Sequence, residues 1–219
     1  GVFALAGILS LGLNAPNIVS TYDYSKYSTR SQSELALNPD GTEKERTTGL
    51  DYDYITQYSY GVFESLNLIA PRVQGGASSE DLGEKSNLYK FLIDNNVPKP
   101  QADSFIKSVP TYWGNQPILE APAYIGASVV FLFILALFVV KGPFKWWLLI
   151  SFILSLLLSW GKNFPLLTNL FIDYFPFYNK FRAVSSIQII LEFAVPLLSV
   201  IGLHKFLADA NLKNIKRSF

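Results

Sequence analysis

The chain has 219 residues, half of them hydrophobic, with a mean hydropathy of +0.25 and a formal net charge of +1. This small charge, without a concentrated basic patch, argues against nucleic-acid binding. Cysteine is absent and His204 is the single histidine, so the chain offers neither a disulfide framework nor the usual zinc ligands. No methionine occurs, and the first residues already belong to an apolar stretch. We therefore expect a fragment whose N-terminal part lies upstream.

Four long apolar stretches dominate the chain. In chain order they cover approximately residues 2–18, 124–140, 146–160 and 187–203. Crossing the hydrocarbon core takes ~20 mostly apolar residues, and ~17 at the short end. None of the stretches alternates like a strand, and only helices or closed barrels satisfy their backbone in lipid. The predicted fold is an α-helical polytopic membrane protein with about four transmembrane helices and a mixed α/β extracytoplasmic region of about 100 residues.

These stretches divide the chain into seven predicted segments. They are a truncated transmembrane helix at 1–20, an extracytoplasmic region at 21–122, a transmembrane helix at 123–141, a cytoplasmic turn with a transmembrane helix at 142–160, an extracytoplasmic loop with an interfacial helix at 161–185, a transmembrane helix at 186–205 and a cytoplasmic tail at 206–219. The orientation follows from the lysines of the 141–145 loop and of the tail, which favour the cytoplasmic side.

The long polar region is turn-rich and too long to be an unstructured connector in a compact protein. Asp51–Tyr60 alternates in places like a strand. Ser79–Asn95 has early acidic residues and an apolar face, which predicts a helix. A second short helix is expected near Ala102–Lys107.

Polar residues inside the last apolar stretch are candidates for function. Glu192 lies about two turns inside it, where a charge costs ~2.5–3.5 kcal/mol on insertion scales. Gln188 and Glu192 share a face with Ser185, Pro196 and Ser199, so we expect that face to look into the helix bundle or a wet cavity. A protonated Glu192 bonded to a neighbouring helix is the alternative. In the third stretch, the small residues at every fourth position from Ser151 to Ser159 favour close helix packing.

The loop after the third stretch carries three cations on the predicted outer side, against the usual bias: Lys162, Lys180 and Arg182. Binding of an anionic group and contact with lipid headgroups both explain them. Phe164–Phe177 reads as a short interfacial helix, with Pro165 at its start. Lys180 and Arg182 then precede the fourth helix, where cations and the helix dipole favour a phosphate.

The chain resembles a known family, and the resemblance covers nearly all of it. The matching segments, in order, are Ser28–Arg30, Tyr60–Glu64, Leu68–Pro71, Tyr112–Gly114, Tyr124–Gly126, Trp160–Asn163 and Phe181–Arg182. Their order and their placement at the ends of the apolar stretches are similar to the YfhO-like bacterial membrane proteins, in versions from Bacteroidetes-like bacteria. These proteins belong among the multi-spanning GT-C-type glycosyltransferases that use lipid-phosphate sugar donors.

The resemblance implies sugar transfer from a polyprenyl-phosphate carrier to a cell-envelope glycan acceptor, on the outer face of the bacterial cytoplasmic membrane. The acidic base expected from the family would lie upstream of Gly1, so no catalytic base is assigned here. We assign phosphate binding to Arg182 first, then to Lys180 and Lys162, since fixed cations stabilise the charge on the leaving phosphate. Family members often have Pro and Arg after the Phe-Arg element, where this chain has residues 183–186 as Ala-Val-Ser-Ser, so a second phosphate-binding arginine is in doubt.

Glu64 and Trp113 are candidates for sugar contacts, through a carboxylate–hydroxyl hydrogen bond and ring stacking. The alternative is a folded subdomain with a buried Trp and a surface Glu. No cofactor is predicted, although a divalent cation could touch Asp51 and Asp53. A transporter or flippase of lipid-linked sugars and a non-catalytic envelope scaffold are the competing functions, but no inverted repeat favours transport.

Overall fold

The computed structural model describes residues 1–28, 41–42, 49–120 and 122–209. Its α-helices there are α1 (Val2–Ser25), α2 (Tyr52–Ile55), α3 (Asn87–Asp94), α4 (Lys99–Ile106), α5 (Ala127–Val139), α6 (Phe144–Ser159), α7 (Pro165–Tyr174) and α8 (Gln188–Asp209). Short 3₁₀ helices cover Phe63–Leu68, Gly161–Asn163, Tyr178–Lys180 and Val184–Ile187. The chain forms two compact units. The first unit comprises Gly1–Gln57 with Asn169–Ala183, and the second comprises Tyr58–Thr168 with Val184–Phe219.

Two helical stretches are long and apolar enough to cross a membrane. They are Ala4–Ser25 within α1 and Val184–Ala208, which covers all of α8 except its last residue. Helix α5 has 13 residues and α6 has 16, which at 1.5 Å per residue is about 20 and 24 Å. Both are shorter than the hydrocarbon core. By length and composition, two of the four predicted spans are therefore present as full-length candidates.

The apolar core of the second unit forms where α5, α6 and α8 pack together. Phe133, Ala136, Leu148 and Leu198 are among its buried residues. The backbones of α5 and α8 lie close together at Gly202. A Cβ atom added to this glycine would lie 2.3 Å from the Cβ of Ala136, so there is no space for a side chain. Small residues allow this approach, which maximises dispersion contacts between the two helices.

The prediction of a mixed α/β region is wrong for the described residues 49–120 and 122–126, which contain helices and turns but no strand. A single isolated antiparallel bridge pairs Glu80 with Val109. Next to it, α3 and α4 pack through Tyr89, Ala102 and Ile106. This small helical core buries the apolar side chains of the region for which a mixed α/β fold was predicted.

The predicted strand at Asp51–Tyr60 is replaced by helix α2. The backbone N–H groups of Ile55 and Thr56 donate to the carbonyls of Asp51 and Tyr52, each at 3.0 Å. The Thr56 hydroxyl also donates to the Tyr52 carbonyl at 2.8 Å. Local bonds of this kind satisfy the backbone without a partner strand, so alternation alone does not produce a strand here.

The helix predicted at Ser79–Asn95 begins only at Asn87, where the Ser86 hydroxyl accepts a hydrogen bond from the backbone N–H of Tyr89. The preceding residues are held elsewhere, since the Glu80 backbone pairs with Val109. The other two predicted short helices exist with shifted ends, as α4 (Lys99–Ile106) and α7 (Pro165–Tyr174). Each starts at or near a proline. Proline is favourable in a first helical turn because the backbone N–H groups there have no acceptor within the helix, so no hydrogen bond is lost.

Candidate functional site

The segment Phe177–Ala183 carries two of the predicted phosphate ligands and is held in an unusual backbone conformation. Phe177 has φ 66° and Ala183 has φ 65°, both in the left-handed region. Residues with a side chain rarely adopt this region, at a cost of about 1–3 kcal/mol each. Such strain persists only when the surrounding structure enforces it, and it concentrates at functional sites.

A second chain segment fixes this one. The backbone N–H of Leu50 donates to the carbonyl of Asn179 at 2.9 Å. A Cβ atom on the adjacent Gly49 would lie 2.5 Å from that same carbonyl oxygen, so only glycine fits this approach. The contact holds Lys180 and Arg182 on a defined backbone within the first unit.

The first unit contains a cavity of about 930 Å³ beside this segment. It is lined by the C-terminal half of α1, by residues just after α1, and by Phe177, Lys180 and Phe181. Lys26 is the second lysine in its wall. The Lys26 amine pairs with Asp23 at 2.8 Å and lies 4.6 Å from the centre of the Tyr22 ring. The hydrogen bond that Lys26 donates to Asp23 raises the pKa of Lys26, so this side chain stays charged.

Lys26 was missed by sequence reasoning. The available signal was its position as the first cation after the first apolar stretch. A cation there lies at the end of an apolar helix, where headgroup-level contacts occur if the helix crosses a membrane. The cavity therefore combines an apolar, aromatic wall with two amines at one helix end.

Arg182 does not line this cavity, but it is ordered by Tyr54. Its guanidinium lies 4.7 Å from the centre of the Tyr54 ring and donates to the Tyr54 hydroxyl at 3.0 Å. The Arg182 side chain is exposed. Stacking of this kind fixes the plane of the guanidinium.

Lys162, the third predicted phosphate ligand, belongs to the second unit and occupies a structural turn. Its backbone N–H donates to the Ser59 hydroxyl at 2.9 Å, while its side chain is exposed. Gly161 has φ 48° and leaves no room for a Cβ atom beside that hydroxyl. The side-chain amide of Asn163 donates to the Tyr60 carbonyl at 2.9 Å. The Trp160–Asn163 segment thus anchors the end of α6 to residues 59 and 60.

Glu64 is fully buried, with 0% of its surface exposed. Its carboxylate accepts hydrogen bonds from the backbone N–H of Gly61 at 2.9 Å, from the hydroxyl of Tyr112 at 2.6 Å and from the side-chain amide of Gln116 at 3.2 Å. Trp113, in contrast, is 68% exposed. The alternative of a buried Trp and a surface Glu is therefore wrong in both parts. The enclosed Glu64 carboxylate does not reach a ligand in this conformation, whereas the Trp113 ring is accessible.

The hydrogen bonds around Glu64 have consequences for its neighbours. Burial raises the pKa of Tyr112, and the bond to Glu64 adds to the rise, so the phenol remains protonated and keeps donating. Burial likewise raises the pKa of Tyr60, reinforced by the nearby Glu64 charge. These groups form a polar core within the second unit.

Most of the segments that carried the family resemblance meet within the second unit. Tyr112 bonds to Glu64, and Asn163 bonds to Tyr60. The backbone N–H groups of Ile125 and Gly126 both donate to the carbonyl of Leu68 at 3.1 Å. Of the Ser28–Arg30 segment, residues 29 and 30 lie outside the described residues. These segments therefore form part of one folded core within the second unit, which gives them a structural role.

The polar residues of α8 divide between buried and exposed positions. Gln188 is 5% exposed and donates from its side-chain amide to the Ser159 hydroxyl of α6 at 3.2 Å. Ser199 is also buried, and its hydroxyl contacts the Val129 carbonyl of α5 at 2.8 Å. Glu192 is exposed, so of the two expected surroundings it does not have the interior of the helix bundle. Buried Ser155 and Ser159 agree with the packing interpretation of the serine stripe.

Among the described residues, no group of three or more His, Cys, Asp or Glu side chains could hold a metal ion. Asp51 and Asp53 therefore have no third partner of this kind in the part of the chain that the structure describes.

The described part of the chain is thus a helical protein with two helices long and apolar enough to cross a membrane and a lysine-lined cavity beside one of them. Comparisons with protein-family models, with curated proteins and with solved structures found no match. The resemblance to the YfhO-like proteins remains a prediction.

Proposed function

We propose that the chain is part of a multi-pass protein of the bacterial cytoplasmic membrane, in which α1, α5, α6 and α8 cross the bilayer. Large apolar side chains on the outer faces of the second unit support this. Phe131 is 65% exposed, Phe138 79% and Phe193 67%. Exposure of large apolar side chains is unfavourable in water and favourable against lipid tails.

The helix ends support the same arrangement. The Lys145 amine donates to the Leu137 carbonyl at 2.8 Å, so it caps α5 while keeping its charge at the helix end. Trp146 and Trp147 are exposed at the start of α6. Tryptophan and lysine are typical of the interface, and such anchors let helices of 13 and 16 residues cross a locally thinned bilayer.

We further propose that the cavity of the first unit binds a lipid phosphate, and the observation that carries this is its lining. An amphipathic lipid needs an apolar wall for its chain and cations for its phosphate. The cavity supplies Tyr22, Phe177 and Phe181 as rings, and Lys26 and Lys180 as amines. Lys180 lies in the strained segment that carries the predicted phosphate ligands, so Lys180 is the principal amine to test.

The proposed reaction is transfer of a sugar from polyprenyl phosphate to a cell-envelope glycan acceptor on the outer face. The bond between the sugar C1 atom and the phosphate oxygen breaks, and the phosphate keeps the electron pair. The acceptor hydroxyl forms the new bond to C1 and gives its proton to a general base, which we do not assign to a residue. Lys180 and Arg182, both in the first unit, stabilise the charge that develops on the phosphate.

The test uses the full chain in nanodiscs with polyprenyl phosphate as the probe. Lys180→Ala removes the principal amine of the cavity and should weaken binding about ten-fold, the loss of one charge-assisted hydrogen bond. Lys107→Ala changes an exposed lysine of the second unit and should leave binding unchanged. Equal affinities for the two variants would remove the cavity as the phosphate site. Sugar transfer by full-length Arg182→Ala at the normal rate would remove Arg182 from the mechanism.

A further inference from the structure

A second cavity, of about 450 Å³, lies within the second unit. Its walls include Asn67, Arg72, Glu80, Glu120 and Tyr124. The residues come from the end of the first 3₁₀ helix, the loop that follows it and the segment before α5. None of them was singled out by sequence reasoning as a ligand-binding residue.

The loop at this cavity has a backbone that only particular residues allow. Arg72 has φ 63°, and Gly75 has φ 83°. A Cβ atom on Gly75 would overlap the Thr111 carbonyl, and one on Gly76 would lie 2.3 Å from a carboxylate oxygen of Glu80. The loop is therefore a strained, closely packed structure, the kind that is retained at binding sites.

A bidentate ion pair holds the charged groups of the loop in place. The two terminal nitrogens of Arg72 donate to the two carboxylate oxygens of Glu80, both at 2.8 Å. The Thr111 hydroxyl donates to the same carboxylate. The Arg72 side chain remains 57% exposed, so its other N–H donors face outward.

Asn67 connects the cavity to the polar core of the second unit. It is fully buried, it lines the cavity, and its Oδ1 accepts from the backbone N–H of Gln74 at 3.3 Å. Its Nδ2 interacts with the buried hydroxyl of Tyr60, although neither atom makes a well-formed hydrogen bond among the described residues. The inner wall of the cavity is therefore polar.

The remaining walls offer acceptors and a ring. Glu120 is exposed and Tyr124 is 53% exposed. Asp81 adds another carboxylate. Three carboxylates against one guanidinium leave the lining with a charge of −2, the opposite sign to the lysines of the first unit's cavity.

From these features we infer that this cavity binds a neutral or amine-bearing saccharide. Sugar hydroxyls both donate and accept, so they match the carboxylates and the remaining Arg72 donors of the lining. The Tyr124 ring offers a flat face to the C–H surface of a sugar. The negative lining disfavours uronates and sugar phosphates. This inference does not rest on the lipid-phosphate site.

The test measures saccharide binding to the full chain in nanodiscs by calorimetry. The probes are a neutral hexose trisaccharide, a glucosamine trisaccharide and a trigalacturonate. We expect the first or second to bind and the third not to bind. The double variant Glu120→Gln/Tyr124→Leu should raise the Kd at least about ten-fold, the loss of a charged hydrogen bond and a stacking contact. The control Glu84→Gln/Tyr174→Leu changes exposed residues outside the cavity and should bind as the unchanged chain does.

Several results would overturn the inference: no binding of either non-acidic probe at millimolar concentration, equal binding of the trigalacturonate, or equal Kd values for the two double variants. Hydrogen exchange gives a readout that needs no variant, since a bound saccharide should slow exchange of amides in residues 72–77, and unchanged exchange at saturating probe counts against the site. Lys180→Ala should lower lipid-phosphate binding and leave saccharide binding intact, so the two proposals fail separately.

Discussion

Glu64 shows how one buried carboxylate organises its surroundings. Glu64→Ala leaves the Tyr112 hydroxyl, the Gln116 amide and the Gly61 N–H without their acceptor. We expect the free energy of unfolding to fall by about 3 kcal/mol or more, measured by denaturant titration in detergent. Tyr112→Phe removes only one of the three donors and should cost less. A loss no larger than that of the exposed Glu84→Ala control would contradict this account.

At the same scale, Glu80 makes stability depend on pH. The hydrogen bond from Arg72, helped by that from Thr111, lowers the pKa of Glu80 from 4.5 to about 2. A carboxyl whose pKa is lower in the folded state stabilises the fold above its unfolded pKa and loses that contribution as pH falls through the folded one. The temperature midpoint of unfolding should therefore fall as the pH is lowered from about 5 to about 2. Glu80→Gln should flatten this part of the profile, and an unchanged slope would exclude Glu80 as its source.

At the scale of elements, the contact between α5 and α8 depends on the absence of a side chain at Gly202. Gly202→Ala would place a Cβ atom against Ala136, and overpacking of this kind costs about 1–3 kcal/mol. The better helix propensity of alanine offsets up to about 1 kcal/mol of this. Thermal unfolding in detergent should show a net destabilisation. Gly12→Ala in α1, with nothing within 4 Å of the added atom, is the matched control and should not destabilise.

For the whole molecule, the proposed membrane environment can be tested by whether a single substitution lowers membrane insertion or raises solubility. Phe131 is exposed in the middle of α5, so Phe131→Asp places a charge in lipid at a cost of about 2.5–3.5 kcal/mol. Insertion, assayed by resistance to alkaline extraction, should fall. Phe105 on α4 is 50% exposed, and Phe105→Asp should leave insertion unchanged. If Phe131→Asp instead yields more soluble protein with an intact fold, the membrane proposal is wrong.

The predictable features are those that depend on composition along the chain. Apolar length and the absence of alternation identified α1 and α8, because a helix that faces lipid needs nothing but apolar residues in sequence. Pro165 indicated the start of α7, whereas α4 begins at Lys99, before the predicted range. Lys180 was singled out as a cation beside an apolar loop, and the structure places it in the lining of a cavity.

Only the tertiary structure decided which polar groups are enclosed. Glu64 is enclosed because Tyr112 and Gln116, which follow it by 48 and 52 residues in the chain, donate hydrogen bonds to its carboxylate. The pairing of Arg72 with Glu80 likewise involves the left-handed backbone conformation of Arg72, which could not be predicted from the sequence. Burial and hydrogen-bond partners arise from contacts distant in sequence, whereas hydrophobic length is a local property. The sequence by itself therefore determined the apolar helices, and the fold determined the two cavities.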